Sequence, residues 1–158
     1  MIIGVGTDLV EIQRVSKALE QLSGGRFLER VLTPGERELA QRRRGRLTEF
    51  TAGRFAAKEA VVKALGCGIG KLVGFQDIEV LPDSLGKPVC RLTDGAVQRL
   101  GWPPGSGLSR TGPASGAELS SAPVSGSAHG PSNMRIHLSI THTDSFAAAY
   151  AIVEDISK

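Results

Sequence analysis

The chain contains little of several residue types on which common protein classes depend. It has 158 residues, with only two cysteines, Cys67 and Cys90, and aromatic residues make up 4% of it. Two distant cysteines argue against a disulfide-rich scaffold and a cysteine-clustered zinc site. No apolar run is long enough to cross a bilayer, and the first residues lack the pattern of a secretory signal. We therefore expect a cytoplasmic protein that does not associate with a membrane and whose thiols are reduced.

The charge is mild but uneven. The net charge is +3, and the basic residues concentrate in the first half, among them Arg14, Lys17, Arg26 and the run Arg42–Arg46. Such a surface attracts phosphates, nucleic acid or an acidic protein. For the Arg42–Arg46 run alone, a solvated helical face is the better interpretation.

The order of patterned segments predicts an α+β fold, with helices packed on an antiparallel sheet. Thr33-Pro34-Gly35-Glu36 has the pattern of a helix start. Good helix formers make Thr48–Leu65 the strongest helix, which predicts one long central helix. Helices are also expected over residues 9–22 and 93–100, and strands over 1–7, 77–81, 88–92, 134–140 and 146–154.

Residues 101–133 differ in composition from the rest of the chain. They are dominated by Gly, Pro and Ser, and Arg110 and Glu118 are their only charged residues. Such a composition buries too little apolar surface to offset the entropy of ordering it. We predict a mobile insertion within a single domain that spans residues 1–158.

Asp8 follows the first predicted strand and precedes the first predicted helix. A carboxylate at such a junction suits a hard cation, because Mg²⁺ prefers carboxylate oxygens together with water and substrate phosphates. The same residue type is also a favourable N-cap for the following helix. On this stretch alone, the N-cap is the better explanation.

The long helix carries Phe55, Glu59 and Lys63 at a spacing of four residues, which places them on one face. Glu59 and Lys63 can form a simple surface pair. However, small alanines surround the charges, and small residues would let a ligand or another chain come close to the helix. Glu59 as a metal ligand, with Lys63 and Arg54 near phosphates, accounts for more of these features.

A third polar group lies in the segment His137–Thr143. His142 and Thr143 stand at the end of a predicted strand, where the chain must turn. A histidine and a hydroxyl at such a turn can donate hydrogen bonds to a phosphate. An exposed histidine in an ordinary hairpin turn is an equally good explanation of this segment by itself.

Taken together, residues 4–12, 53–66 and 137–143 resemble the signature blocks of the holo-[acyl-carrier-protein] synthases, the small homotrimeric branch of the bacterial phosphopantetheinyl transferases. Arg-Phe-Ala-Ala-Lys-Glu-Ala at 54–60 is the most specific block. The resemblance covers the whole chain except residues 101–133, where the family has a short connection.

The resemblance implies transfer of the 4′-phosphopantetheine arm of coenzyme A to a serine of an apo acyl carrier protein, as in fatty acid biosynthesis. Asp8 and Glu59 would then hold Mg²⁺, with Lys63 as the third catalytic residue. For the base that removes the serine proton, a metal-bound water and Glu59 are the two candidates. The residues implied to bind coenzyme A are Arg54, Lys63, Gly66, Gly68, His142 and Thr143.

The resemblance also implies the partners. In the family the first helix docks on the acidic carrier protein, which would use Arg14, with Lys17 and Arg26 as weaker candidates. It further implies a homotrimer with active sites between subunits. The alternative from another class is a basic nucleic-acid-binding module without catalytic activity. That alternative needs aromatics interleaved with the basic residues, and the few aromatics mostly lie in apolar runs or loops.

Overall fold

The computed structural model of the chain describes residues 1–43, 45–102 and 133–157. The α-helices are α1 (Ile12–Glu20), α2 (Gly24–Val31), α3 (Pro34–Arg42), α4 (Leu47–Ala64) and α5 (Asp94–Arg99). The strands are β1 (Ile2–Glu11), β2 (Ile78–Pro82), β3 (Pro88–Leu92), β4 (Met134–His142) and β5 (Phe146–Asp155). A short 3₁₀ helix, Phe75–Asp77, precedes β2.

The strands form two antiparallel sheets. The larger sheet has the order β1-β5-β4, and β2 pairs with β3 in a separate hairpin. Within the larger sheet Thr7 pairs with Tyr150, and Leu138 pairs with Ala151. The prediction of an α+β fold with an antiparallel sheet and one long helix is confirmed.

Helix α4 lies against the larger sheet and forms the centre of the core. Its alanines at 56, 57 and 60 are fully buried, as are the sheet residues Ala149 and Ala151. Close packing is possible because β1 carries glycine where it crosses the helix. A Cβ at Gly6 would lie 2.0 Å from the Ala60 carbonyl oxygen, and one at Gly4 would lie 1.8 Å from that of Ala64. These glycines are therefore required for β1 to pass so close to α4.

The space that these small residues leave is filled by the protein itself. The sequence predicts that the alanines admit a ligand or another chain, and that interpretation is wrong for the buried positions. β1 and β5 occupy the space. What the alanines do is bring β1, with Asp8, close to the polar face of α4.

Two differences between the predicted and the observed elements are larger than a shift of one or two residues. β1 continues to Glu11, whereas the sequence predicts a helix from Leu9. The reason is pairing, since Leu9, Val10 and Glu11 are each opposite a residue of β5. The second difference is α2, a helix that the sequence analysis does not predict, which begins at Gly24 soon after the predicted first helix ends at residue 22.

Several other predictions hold in the described part of the chain. Thr33 caps α3 in a reciprocal capping box with Glu36, and Thr93 caps α5. Both cysteines are free, and burial raises the pKa of the Cys90 thiol to about 12. None of the described helices is long and apolar enough to span a membrane. The predicted insertion at 101–133 lies almost entirely outside the described residues.

Candidate active site

The first polar cluster joins β1 to α4, and we call Asp8, Glu59 and Lys63 the acidic site. Lys63 Nζ donates hydrogen bonds to Asp8 Oδ1 at 2.8 Å and to the Thr7 carbonyl oxygen at 3.0 Å. The Asp8 side chain is 15% exposed and that of Lys63 is 49% exposed. Asp8 is thus held in place by the close approach of the strand to the helix, yet it remains open to solvent.

This geometry decides between the two sequence interpretations of Asp8. The N-cap of α1 is Glu11, and Asp8 lies three residues earlier inside β1. The N-cap interpretation is therefore wrong. Lys63 likewise pairs across the elements with Asp8, which accounts for it better than a surface pair within α4 does.

Glu59 lies in the same cavity as Asp8. This cavity, of about 420 Å³, is also lined by Arg14 of α1 and by Phe27 and Phe55. Burial raises the pKa of Glu59, the charge of Asp8 raises it further, and the charge of Lys63 lowers it. The influence of Asp8 on this pKa shows that the two carboxylates are electrostatically coupled.

Two neighbouring carboxylates suit a hard divalent cation that retains substrate and water ligands. No cluster of three or more His, Cys, Asp or Glu occurs among the described residues. The donor set therefore fits Mg²⁺ better than a metal that requires a complete protein cage. The Lys63 ammonium donates a hydrogen bond to one oxygen of Asp8, which indicates that this site attracts positive charge.

The second polar cluster is a separate pocket of about 250 Å³. We call it the arginine pocket, after Arg43, Arg46 and Arg54, which line it together with His142 and Phe50. It lies between the start of α4, the β2–β3 turn and the end of β4. Three arginines, opposed by the acidic Glu49, give this concave surface a positive balance that favours an anionic ligand.

Arg54 differs from the other cations of the arginine pocket because it is largely buried. Its guanidinium carbon lies 4.4 Å from the centroid of the Phe50 ring, and Nε lies 4.0 Å from Glu36 Oε1. Burial lowers the pKa of Arg54 to about 10, with Glu36 opposing and Arg43 adding to that shift. The side chain nevertheless remains a cation at neutral pH.

The other residues predicted to bind coenzyme A follow residues of the two clusters along the chain, Thr143 after His142 and Gly66 and Gly68 after Lys63. Thr143 Oγ1 accepts hydrogen bonds from the Ser145 and Phe146 amides, which use its acceptor side and not its proton. Gly66, with a φ of +74°, ends the turn after α4, and its amide donates to the Lys63 carbonyl oxygen. Nothing lies within 4 Å of a Cβ built at Gly68, so a ligand has room there.

The structure separates the three residues predicted to bind a carrier protein. Arg14 lines the acidic cavity beside Asp8 and Glu59. Lys17 and Arg26 are exposed and are not among the residues that line this cavity. Arg14 is thus the basic residue of this set that lies next to the acidic site.

Sequence reasoning missed two features. It treats the Arg42–Arg46 run as a solvated face, which fits Arg42, paired with Glu38, but Arg43 and Arg46 line the arginine pocket. It also gives Glu36 only a capping role and gives Lys58 none, although the two residues are fully buried and form an ion pair of 2.7 Å. The signal for the pair was a lysine among buried alanines, because a lysine in such a place needs a partner.

The chain belongs to a known class of protein. Residues 4–101 match the family model of the 4′-phosphopantetheinyl transferase superfamily. This chain is a member of that family. The match ends where the Gly/Pro/Ser-rich segment begins.

The relatives within the family are holo-[acyl-carrier-protein] synthases. One from Bacillus cereus is 38% identical over 159 aligned residues, covering 100% of each chain. A crystal structure of the Bacillus anthracis synthase in complex with CoA (3′,5′-ADP) has a TM-score of 0.66 at 38% identity and covers 98% of both chains. That of the Neisseria meningitidis synthase has a TM-score of 0.70 at 28% identity, covering 98% of this chain and 100% of the other.

Proposed function

We propose that this protein transfers 4′-phosphopantetheine from coenzyme A to a serine of an apo acyl carrier protein, giving holo carrier protein and adenosine 3′,5′-bisphosphate. The observation that carries the proposal is the acidic site, in which two coupled carboxylates and a lysine meet on the family's signature segments. The related synthases bear the name of this reaction. Family membership favours this enzyme over the nucleic-acid-binding alternative. For a step of fatty acid biosynthesis we expect a cytoplasmic protein.

In the proposed reaction the serine hydroxyl oxygen attacks the phosphorus that carries the pantetheine arm. A new oxygen–phosphorus bond forms, and the bond from that phosphorus to the bridging oxygen of the pyrophosphate breaks. The electron pair leaves with adenosine 3′,5′-bisphosphate, and the serine loses its proton. The main obstacle is the negative charge around the phosphorus, which must be offset and held in line.

Asp8 and Glu59 would hold Mg²⁺ against the pyrophosphate. The chemistry that Mg²⁺ supplies when bound is neutralisation of charge on the phosphate oxygens. Lys63 would contribute a second positive charge, because its ammonium already lies at the acidic site and is half exposed. Its bond to the Thr7 carbonyl oxygen holds Nζ near β1 and would leave the other two ammonium donors for a ligand.

For the serine proton we propose that a carboxylate oxygen of Glu59 accepts or relays it. Without metal, burial raises the pKa of Glu59 and the neighbouring Asp8 charge raises it further. When Mg²⁺ is bound, a carboxylate oxygen that the metal leaves free would be the proton acceptor.

The arginine pocket would bind the other end of coenzyme A. Arg54 and His142 line one anion-attracting surface, and we assign them, with Thr143, to the 3′-phosphate and the adenosine. A guanidinium can bind a phosphate through two parallel hydrogen bonds. Gly66 and Gly68, directly after the helix that carries Lys63, would let the backbone approach the nucleotide.

The α4 side chains of the two clusters project from the helix in different directions, which favours an active site between subunits. Successive helical residues are about 100° apart, so Arg54 and Glu59 project about 140° apart. They line different cavities. One coenzyme A molecule would then meet the acidic site of one subunit and the arginine pocket of its neighbour.

An apolar surface is available for this assembly. Val5, Leu9 and Tyr150, on the paired strands β1 and β5, are 63%, 64% and 59% exposed. Exposed apolar patches on a sheet mark interaction surfaces. We propose that this surface joins the subunits of a homotrimer.

The carrier protein would dock beside the acidic site. Arg14 lines that cavity together with Phe27 and Phe55, so a partner of negative charge would bring its serine close to Asp8 and Glu59. Lys17 and Arg26 would add longer-range attraction to an acidic surface.

Intact mass spectrometry tests the function directly. The full chain is incubated with an apo acyl carrier protein, coenzyme A and Mg²⁺, and the carrier should gain the mass of one phosphopantetheine arm. Omission of Mg²⁺, with a chelator present, should prevent the gain. No addition to any of a range of carrier proteins, with folded enzyme, would overturn the proposal.

A further inference from the structure

Behind the arginine pocket lies a group of three buried charged residues, Glu36, Lys58 and Arg54. Glu36 and Lys58 are fully buried, and Arg54 is 7% exposed. Glu36 Oε2 accepts hydrogen bonds from Lys58 Nζ at 2.7 Å and from the Thr33 amide at 2.8 Å. Its Oε1 accepts from the Val80 amide at 2.8 Å and lies 4.0 Å from Arg54 Nε. One carboxylate thus faces two cations.

Lys58 is fully engaged inside the protein. Its ammonium donates to Glu36 and to the carbonyl oxygens of Val31 and Phe75, at 2.6 and 2.9 Å. An ammonium has three donors, so these partners use all of them. The positive charge that Glu36 does not balance therefore belongs to Arg54, which lines the pocket.

The Arg54 guanidinium is held in place, but its Nε has no hydrogen-bond partner among the described residues. This nitrogen is the one buried side-chain polar atom in the described part of the chain that lacks a partner. The Phe50 ring covers the guanidinium, and Glu36 attracts its Nε edge from a distance too long for a hydrogen bond. The Phe50 ring and the Glu36 carboxylate together restrict the guanidinium to one orientation. The positive charge of Arg54 remains available to an anion in the pocket.

We infer that Glu36 is a positioning residue for coenzyme A binding: its buried carboxylate orients Arg54 so that the guanidinium meets the 3′-phosphate. This inference rests on the proposed function, in particular on the assignment of Arg54 to that phosphate. Glu36 itself is shielded from any ligand, so it acts only through Arg54. Arg54→Ala and loss of the Glu36 charge should then affect the same part of the ligand.

The variants must separate positioning from folding. Glu36→Gln keeps a side chain that can complete the capping box but leaves Lys58 buried without a counter-ion, which is strongly destabilising. The informative pair is therefore Lys58→Met and the double variant Glu36→Gln/Lys58→Met. Both lose the bonds of Lys58 to the Val31 and Phe75 carbonyl oxygens. They differ in the carboxylate that faces Arg54 and in one backbone bond, because a glutamine amide can accept from only one of the Thr33 and Val80 amides. Thermal melts verify that both are folded.

The readout is binding of adenosine 3′,5′-bisphosphate and of adenosine 5′-monophosphate, measured by calorimetry at one pH and salt concentration. The ratio of the two Kd values reports the contribution of the 3′-phosphate. The preference for the bisphosphate over the monophosphate should be about tenfold smaller in the double variant than in Lys58→Met, as expected for a weakened charge-assisted hydrogen bond. Affinity for the monophosphate should stay the same, and in an Arg54→Ala background the Glu36 change should have no further effect.

Two results would overturn the inference. A folded double variant with the ratio of Lys58→Met would show that Glu36 is only structural. An Arg54→Ala variant with the wild-type ratio would show that Arg54 does not bind the 3′-phosphate. Neither result depends on phosphopantetheine transfer, so a failed transfer assay with normal bisphosphate binding would count against the proposed function alone.

Discussion

The acidic site and the arginine pocket are both charged, but they are built in different ways. The acidic site consists of partly exposed side chains whose backbones are fixed by the packing of β1 on α4. In the arginine pocket, Arg54 is held from behind by a buried ion-pair network. The difference suits the proposed roles, because reacting groups must be reachable by both substrates, whereas a recognition group needs a fixed charge in a fixed direction.

The sharpest way to separate the two regions is to neutralise one carboxylate of the acidic site. Glu59→Gln should reduce transfer at least a hundredfold, because it removes a charged ligand and the proposed proton acceptor from the reacting centre. Affinity for adenosine 3′,5′-bisphosphate should change little, since that ligand depends on the arginine pocket. Steady-state transfer rates and calorimetric binding provide the two measurements.

A matched control for this variant is Glu38→Gln. Glu38 lies on the surface of α3 and pairs with Arg42, away from both regions. It should keep full transfer activity. Full activity of Glu59→Gln, with Mg²⁺ dependence unchanged, would contradict the metal-binding role of Glu59.

Mixing two inactive variants tests whether the regions act across a subunit boundary. Glu59→Gln lacks a functional acidic site, and Arg54→Ala lacks a functional arginine pocket. If each active site combines the two regions from neighbouring subunits, one of the three interfaces in every mixed trimer pairs two intact regions, so trimers that carry both variants should recover about a third of the wild-type sites. Co-expression with two different tags, purification through both tags and a transfer assay provide the measurement. Absence of any recovery in a verified mixed oligomer would place each complete site within one subunit.

The two regions also differ in how far they follow from sequence. The acidic site follows in part, because local patterns identify the helix that carries Glu59 but end the first strand before Asp8. The residues alone left the N-cap and the helix-surface pair as explanations. Only the pairing of β1 with β5, a contact between distant parts of the chain, extends the strand past Asp8 and excludes the N-cap.

The arginine pocket and α2 follow less well, because both depend on tertiary packing. Gly24 looks like a helix terminator, but a Cβ there would lie 2.1 Å from the Leu19 carbonyl oxygen, so glycine is needed where α2 meets α1. Arg43 and Arg46 belong to a charged run that is typical of a solvated surface. They line a pocket because the β2–β3 turn lies opposite them. A contact between such distant parts of the chain cannot be predicted from the local sequence.

Charge reversal at Arg14 tests the proposed docking surface beside the acidic site. Arg14→Glu should lower kcat/KM for an acidic carrier protein about tenfold at low salt, mainly through slower association, and the loss should shrink as salt is added. Lys17→Glu and Arg26→Glu should have smaller effects, because neither is among the residues that line the acidic cavity. Bisphosphate binding should be unaffected, whereas an equal loss for all three variants would indicate general attraction and no defined contact.

The smallest expected effect concerns the protonation of Glu59. Its pKa is raised, chiefly by burial and also by Asp8, so without metal the folded protein binds this proton more tightly than the unfolded chain does. The charged carboxylate therefore costs stability above the raised pKa, and that cost disappears as the pH falls through it towards the ordinary glutamate value. In chelator, Glu59→Gln should melt above wild type at neutral pH, and the difference should diminish on acidification.

In the same pH range protons should compete with Mg²⁺ for Glu59 and weaken metal binding. The pH dependence of bisphosphate binding should be the same in wild type and Glu59→Gln. A melting difference that is independent of pH would show that Glu59 titrates as an ordinary surface carboxylate.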